Sequence, residues 1–155
     1  MRIPALLLSW TVVLAVGTQV FSGEPTRPGP TDRCAVCGMF VAKYVNWIAI
    51  AEFDDGSLVF FDGPKDMFKY LFDIARFDPS KEGRETSAVF VTDYYSTELI
   101  DGKEAFYVAG GDVVGPMGPE LVPFVTREDA EEFLRDHRGE RILSYDEIGA
   151  KEIPR

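Results

Sequence analysis

The densest set of reactive side chains in the chain is Cys34-Ala35-Val36-Cys37-Gly38-Met39. Two thiols at this spacing can reach one ion, and Gly38 frees the backbone to turn Met39 toward the same centre. Another sulfur donor, Met117, stands in Gly115-Pro116-Met117-Gly118-Pro119, a turn where polar residues are expected. A flexible thioether displayed there is either packed inward or used as a soft donor. Together, thiolate and thioether prefer Cu(I) over Zn(II) or hard ions. Three other readings of the cysteine pair stay open. A disulfide would suit an exported protein, although closing so short a loop stabilises little. A thioredoxin-like redox pair sits between a strand and a helix N-terminus, whereas this pair follows a Pro/Gly-rich stretch and precedes an apolar segment. Structural zinc wants four Cys or His ligands, and His137 is the one nitrogen ligand available beside the two cysteines.

Elsewhere the chemistry is thin. Met67 lies on the apolar face of an expected helix and reads as core. His137, near a helix C-terminus, reads as a partner of the last carbonyls. Asp54, Asp55 and Asp93 offer carboxylates, but nothing pairs them as acid and base. No phosphate-cradling glycine loop, Ser/His/Asp set or zinc-protease helix is present, so an enzyme is not expected. The formal net charge of −10 repels phosphate backbones, which excludes nucleic acid as a partner.

The elements that must position the sulfur atoms follow an uncharged apolar run, Ile3 to Phe21, behind Arg2. That run reads as a secretory signal ending near Ser22. Left uncleaved, it is close to the ~18–20 residues that span a bilayer and would be the sole membrane attachment. The expected organisation is a signal at 1–22, a Pro/Gly/Thr-rich tether at 23–32 and one folded domain at 33–150.

Within that domain Phe40 to Tyr44 reads as a short strand and Trp47 to Phe53 as a longer one. Asp54-Asp55-Gly56 turns the chain into Ser57–Phe61. Asp62-Gly63-Pro64 opens a helix with Met67, Tyr70, Leu71 and Ile74 on one face. Ser80 to Ser87 reads as a loop before the strand Ala88–Tyr94. The plan then repeats. Ala105–Ala109 is a strand, Gly110–Pro119 a long turn, and Leu121–Phe124 a further strand. A capping-box-like Thr126-x-x-Asp129 starts a helix carrying Ala130, Phe133 and Leu134, and Arg141–Tyr145 closes. An offset of 63 pairs Leu58-Val59-Phe60-Phe61 with Leu121-Val122-Pro123-Phe124, Tyr70 with Phe133, and Leu71 with Leu134. The expected fold is therefore α+β, a tandem ββαβ repeat whose antiparallel sheet is covered by two helices.

Cys-x-x-Cys-Gly-Met, then Phe-Phe-Asp-Gly before one helix, then Gly-Pro-Met-Gly-Pro-Glu-Leu-Val-Pro-Phe before another, resembles the NosL family across roughly Asp32 to Ile148. These are exported copper-binding accessory proteins of nitrous oxide reductase, built from paired ββαβ units. The resemblance implies one Cu(I), taken from a copper donor in the envelope and passed to the reductase in the periplasm. It implies Cys37, Met39 and Met117 as ligands, with Cys34 matching the first motif cysteine. Family members commonly carry a lipidated Cys directly after the signal, and here no Cys precedes Cys34. A thiol-disulfide oxidoreductase using Cys34 and Cys37, or an interaction module without metal, are the competing functions.

Overall fold

The computed structural model describes residues 25–155, so the expected signal, Ile3–Phe21, and the first two residues of the expected tether lie outside it. Among the described residues no helix is long and apolar enough to cross a membrane. Residues 25–32 run without regular structure into a turn where the Gly29 N–H donates to Asp32 Oδ2 at 2.7 Å.

Two antiparallel sheets follow. The first contains β1 (Ala49–Phe53), β2 (Leu58–Phe61), β3 (Thr86–Thr92) and β4 (Leu99–Asp101), in the order β2-β1-β3-β4. The second contains β5 (Phe106–Gly115), β6 (Gly118–Phe124) and β7 (Gly139–Ser144), in the order β6-β5-β7. Between hairpin and third strand each half inserts a helix: α1 (Pro64–Phe72), followed by the short α2 (Ile74–Phe77), and α3 (Arg127–Asp136). In both halves the first strand is central, flanked by its hairpin partner and by the strand after the helix. The α+β repeat is therefore present, with the first residues of α1 and α3, Pro64 and Arg127, at the offset of 63. Each half builds its own sheet, and β4 extends the first.

Side-chain alternation explains how the sheets stack. On the second sheet Tyr107, Ala109, Leu121 and Leu143 join the large core with Met67 and Phe68 of α1. Val108, Val122 and Phe124 point the other way, onto Ala130 and Phe133 of α3. Helix α1 thus lies between the sheets. Its Tyr70 ring meets Phe53 and Phe61 of the first sheet, while Phe68 meets Tyr107 of the second at 5.4 Å. A helix enclosed from both sides is buried on more than one face, and here Pro64 to Phe68 and Tyr70 are all buried. That run includes Lys65 and Asp66, whose charges must find partners.

Several sequence expectations need correction. Phe40–Tyr44 is no strand: Phe40 makes one bridge to Arg33, and Val41–Lys43 is a 3-10 turn. The Val41 N–H is taken by Asp32 O and the Tyr44 N–H by Val41 O, so the segment closes on itself. Gly110–Pro119 is mostly strand. Positive φ at Gly110 (82°) and Gly111 (103°) lets β5 pass an irregularity in register and continue to Gly115, leaving Pro116 and Met117 as the connection to β6. Ile74 starts a separate helix because Asp73 breaks the α conformation at ψ 58°. Strand β3 begins at Thr86, and β4 has no counterpart in the sequence reading. Strand β6 holds Pro119 and Pro123 because it is an edge of its sheet, where missing donors cost little. Thr126 caps α3 as expected, its Oγ1 accepting the Asp129 N–H at 3.1 Å. The halves are also joined by Asp93, whose Oδ1 accepts the Val125 N–H at 2.8 Å.

Because Phe68 fills space between both sheets, Phe68→Ala should lower stability by about 3–5 kcal/mol in urea unfolding. A loss under about 1 kcal/mol would mean that α1 is not the shared core element.

Candidate metal centre

The cysteine loop is held by its own backbone. The Cys34 N–H donates to Met39 O at 2.8 Å and the Gly38 N–H to Cys34 O at 2.9 Å. Gly38 sits at φ 78°, the left-handed region that closing this loop requires and that side chains disfavour. Arg33 donates to Gly38 O at 2.8 Å, its guanidinium 3.9 Å from the Phe40 ring centroid. The Ala35 N–H reaches Phe60 O, which fixes the loop to the edge strand β2. The result buries Cys34, leaves Cys37 and Met39 half-buried, and keeps both thiols free.

Facing the thiols is the entry to α1. Cys37 Sγ donates to Asp62 Oδ1 at 3.3 Å, and Cys34 Sγ to Asp66 Oδ2 at 3.6 Å. One ligand atom from each of Cys34, Cys37, Asp62 and Asp66 lies within 4.8 Å of all the others, a spacing that can hold one metal ion. Asp62 and Asp66 are 1% and 3% exposed. Lys69 Nζ, 3.0 Å from Asp66 Oδ1, offsets part of that charge. Asp62 Oδ2 has no hydrogen-bond partner among the described residues. A buried carboxylate oxygen without a protein partner is costly, and a bound water or a cation would satisfy it. Burial, reinforced by the Asp62 carboxyl, raises the Cys34 thiol far above the ordinary range, and burial raises Cys37 to about 11. Both shifts run opposite to the depression that activates a redox thiol.

Met117 is linked to α1 through Lys65. Lys65 Nζ donates to Met117 O and to Pro119 O, each at 2.7 Å. The Lys65 N–H donates to Glu120 Oε1 at 2.5 Å, and the Leu121 N–H to the same oxygen at 2.9 Å. The turn carrying Met117 is therefore tied to α1 at the residue just before Asp66. Gly63, the N-cap of α1, has no side chain to supply the cap, so Glu120 from the other half supplies it. Gly63 must also be small, since a Cβ there would lie 2.3 Å from Glu120 Oε2. Met117 itself is 48% exposed.

Of the sulfur residues named from sequence, Cys34 and Cys37 share the cluster, Met39 belongs to the same loop, and Met117 sits on the turn fastened to α1. The carboxylates Asp62 and Asp66 were missed as site residues, the first read only as part of the helix-opening Asp62-Gly63-Pro64. Their i, i+4 spacing across a helix start was the available signal. Met67 is fully buried, as expected. His137 stands apart from the cluster. Its Nδ1 is 3.0 Å from Asp112 Oδ1 and its ring stacks on Phe133, in place of the expected contact with helix carbonyls.

The NosL family model matches residues 25–153. The chain belongs to the NosL family. The crystal structure of the copper chaperone NosL from Shewanella denitrificans has the same fold. It is 22% identical, with a TM-score of 0.70, and the match covers 83% of this chain and 98% of that one. The solution structure of the apo-NosL protein from Achromobacter cycloclastes is 26% identical, covering 68% of this chain and 87% of that one, with a TM-score of 0.48. No curated protein matches the chain.

Burial raises the Glu120 carboxyl to about 8, only partly countered by the Leu121 and Lys65 N–H groups. Between its ordinary value and 8 the folded chain keeps a proton that the unfolded chain has released, so stability falls as pH rises through that window. The contribution is on the order of a few kcal/mol. Denaturant unfolding at pH 5 and pH 8 should show that loss in the natural chain and a clearly smaller one in Glu120→Gln. Equal losses would refute the assignment.

Proposed function

We propose that this NosL-family protein is an exported Cu(I) carrier that delivers copper to nitrous oxide reductase or a related envelope copper enzyme. In this reading residues 33–150 form the carrying unit behind a tether at 23–32, and a donor in the envelope supplies the copper. The proposed ligands are Cys37, Met39 and Met117, with Cys34 as the further thiolate. The observation that carries the reading is the meeting of two free thiols with the buried, partnerless Asp62 oxygen.

Copper is cargo here, so the task is to hold an ion and then release it. Thiolate and thioether donors are soft, which favours Cu(I) over harder divalent ions. Each thiol gives up its proton to become a ligand, so uptake releases protons and tightens as pH rises. Asp62 and Asp66 orient the thiols through the hydrogen bonds they accept and balance the charge of an incoming cation. Burial of Cys34 gives a fixed anchor, while the half-exposed Met117 gives a donor that an acceptor's ligands can displace first. No bond to carbon forms or breaks in this exchange. The protein is accordingly read as a carrier and not as an enzyme.

The reduced protein, handled anaerobically with one equivalent of Cu(I), should develop thiolate-to-copper absorption. Chelator competition should show Cys37→Ser and Met117→Ala each weakening Cu(I) binding roughly tenfold or more. Unchanged affinity in both variants would remove the proposed site. Loaded protein should restore activity to copper-free nitrous oxide reductase; retained binding without transfer would overturn that client and leave the carrier role standing.

A further inference from the structure

We infer that Lys65 is the positioning residue for Met117, fastening the thioether-bearing turn to the first turn of α1, the same turn that carries Asp66, before any metal arrives. The inference rests on the reading of Met117 as a copper ligand. Lys65 is 2% exposed, which is rare for a lysine, and an ammonium tolerates burial only when acceptors surround it. Its acceptors are the carbonyls of Met117 and Pro119, at 2.7 Å each, on either side of Gly118. Gly118, the first residue of β6, sits between them at φ 88°, just after the Pro116-Met117 connection.

The same residue is fixed from behind. Its N–H is held by Glu120 Oε1, so both ends of Lys65 bind the segment Met117–Glu120. Asp62 and Asp66, which accept from Cys37 and Cys34, lie on either side of it in the chain. Among the described residues Lys65 is the one side-chain donor to the Met117 and Pro119 carbonyls. The hairpin tip is otherwise open, with Val114 62% and Met117 48% exposed. A donor on a loose tip would have to be ordered each time copper binds, and that ordering would weaken affinity. Lys65 orders it in advance.

Four proteins test this by anaerobic Cu(I) competition: Lys65→Leu, Lys65→Arg, Met117→Ala and the double variant Lys65→Leu/Met117→Ala. Lys65→Leu keeps an apolar side chain, loses the donors and adds no sulfur. It should weaken Cu(I) binding about as much as Met117→Ala, roughly tenfold or more, and the double variant should be no weaker than Met117→Ala alone. Lys65→Arg, which keeps donors, should recover part of the loss. X-ray absorption should count one sulfur fewer around copper in Lys65→Leu. Natural affinity in Lys65→Leu, or losses that multiply in the double variant, would overturn the inference. Natural affinity in Met117→Ala would instead overturn the ligand reading beneath it, without reference to Lys65. Should Lys65→Leu fail to fold, backbone relaxation of the natural copper-free protein decides. Order parameters near ~0.85 at Met117 and Gly118 are expected, and values below ~0.6 refute the clamp.

Discussion

Burial of the first turn of α1 between two sheets imposes the constraint that most of the molecule answers to. A helix start carries unpaired N–H groups, and here water cannot reach them. Gly63 offers no side chain, so the acceptor comes from Glu120, 55 residues along the chain from Lys65. Accepting that carboxyl requires Gly63 to stay small, since a Cβ there would lie 2.3 Å from Glu120 Oε2; at Gly115 a Cβ would come within 3.2 Å of the same side chain. The Lys65 ammonium is carried into the same interior and spends its protons on the Met117 turn. Capping, packing and the joining of the two halves are thus one arrangement.

That arrangement also decides what faces the cysteines. Asp62 and Asp66 stand at the same helix start, and enclosure of α1 removes both from solvent. Two carboxylates in so small a volume repel unless hydrogen bonds or cations relieve them. Thiol donors and Lys69 supply part of that relief, and the Asp62 oxygen left over marks where it is incomplete. The cluster is spaced so that it could hold a cation. Its softness comes from sulfur on the neighbouring loop.

Burial and exposure are divided accordingly. The cysteine loop is pinned by backbone bonds to itself, by Arg33 and by the edge of β2. Behind it stands an aromatic core in which Tyr70, Phe53 and Phe61 form one side and Phe68 and Tyr107 the other. The Met117 turn projects from an edge strand and is exposed at its tip, with the Lys65 bonds at its base. In the proposed reading the buried Cys34 thiol is a fixed anchor and Met117 a reachable donor, the combination that ligand exchange needs.

Local signals in the chain were enough for the helix-opening Asp62-Gly63-Pro64, the Thr126 cap, the hairpin at Asp54-Asp55-Gly56 and the repeat linking Phe61 with Phe124. Each is written in neighbouring residues or in the spacing of apolar ones, which is where turn chemistry and periodicity act. The Cys-Gly-Met and Pro-Met-Gly motifs were legible for the same reason. Long-range pairing was not. Phe40–Tyr44 looked like a strand but found no neighbouring ladder, and Gly110–Pro119 looked like a turn but became paired strand through its glycines. The role of Glu120 as a cap, the burial of Lys65 and the meeting of Asp62 and Asp66 with the thiols depend on which surfaces two sheets enclose. Pattern fixes the elements because sterics and hydrogen bonding are local; only packing decides which charges are taken out of water, and therefore which residues make the site.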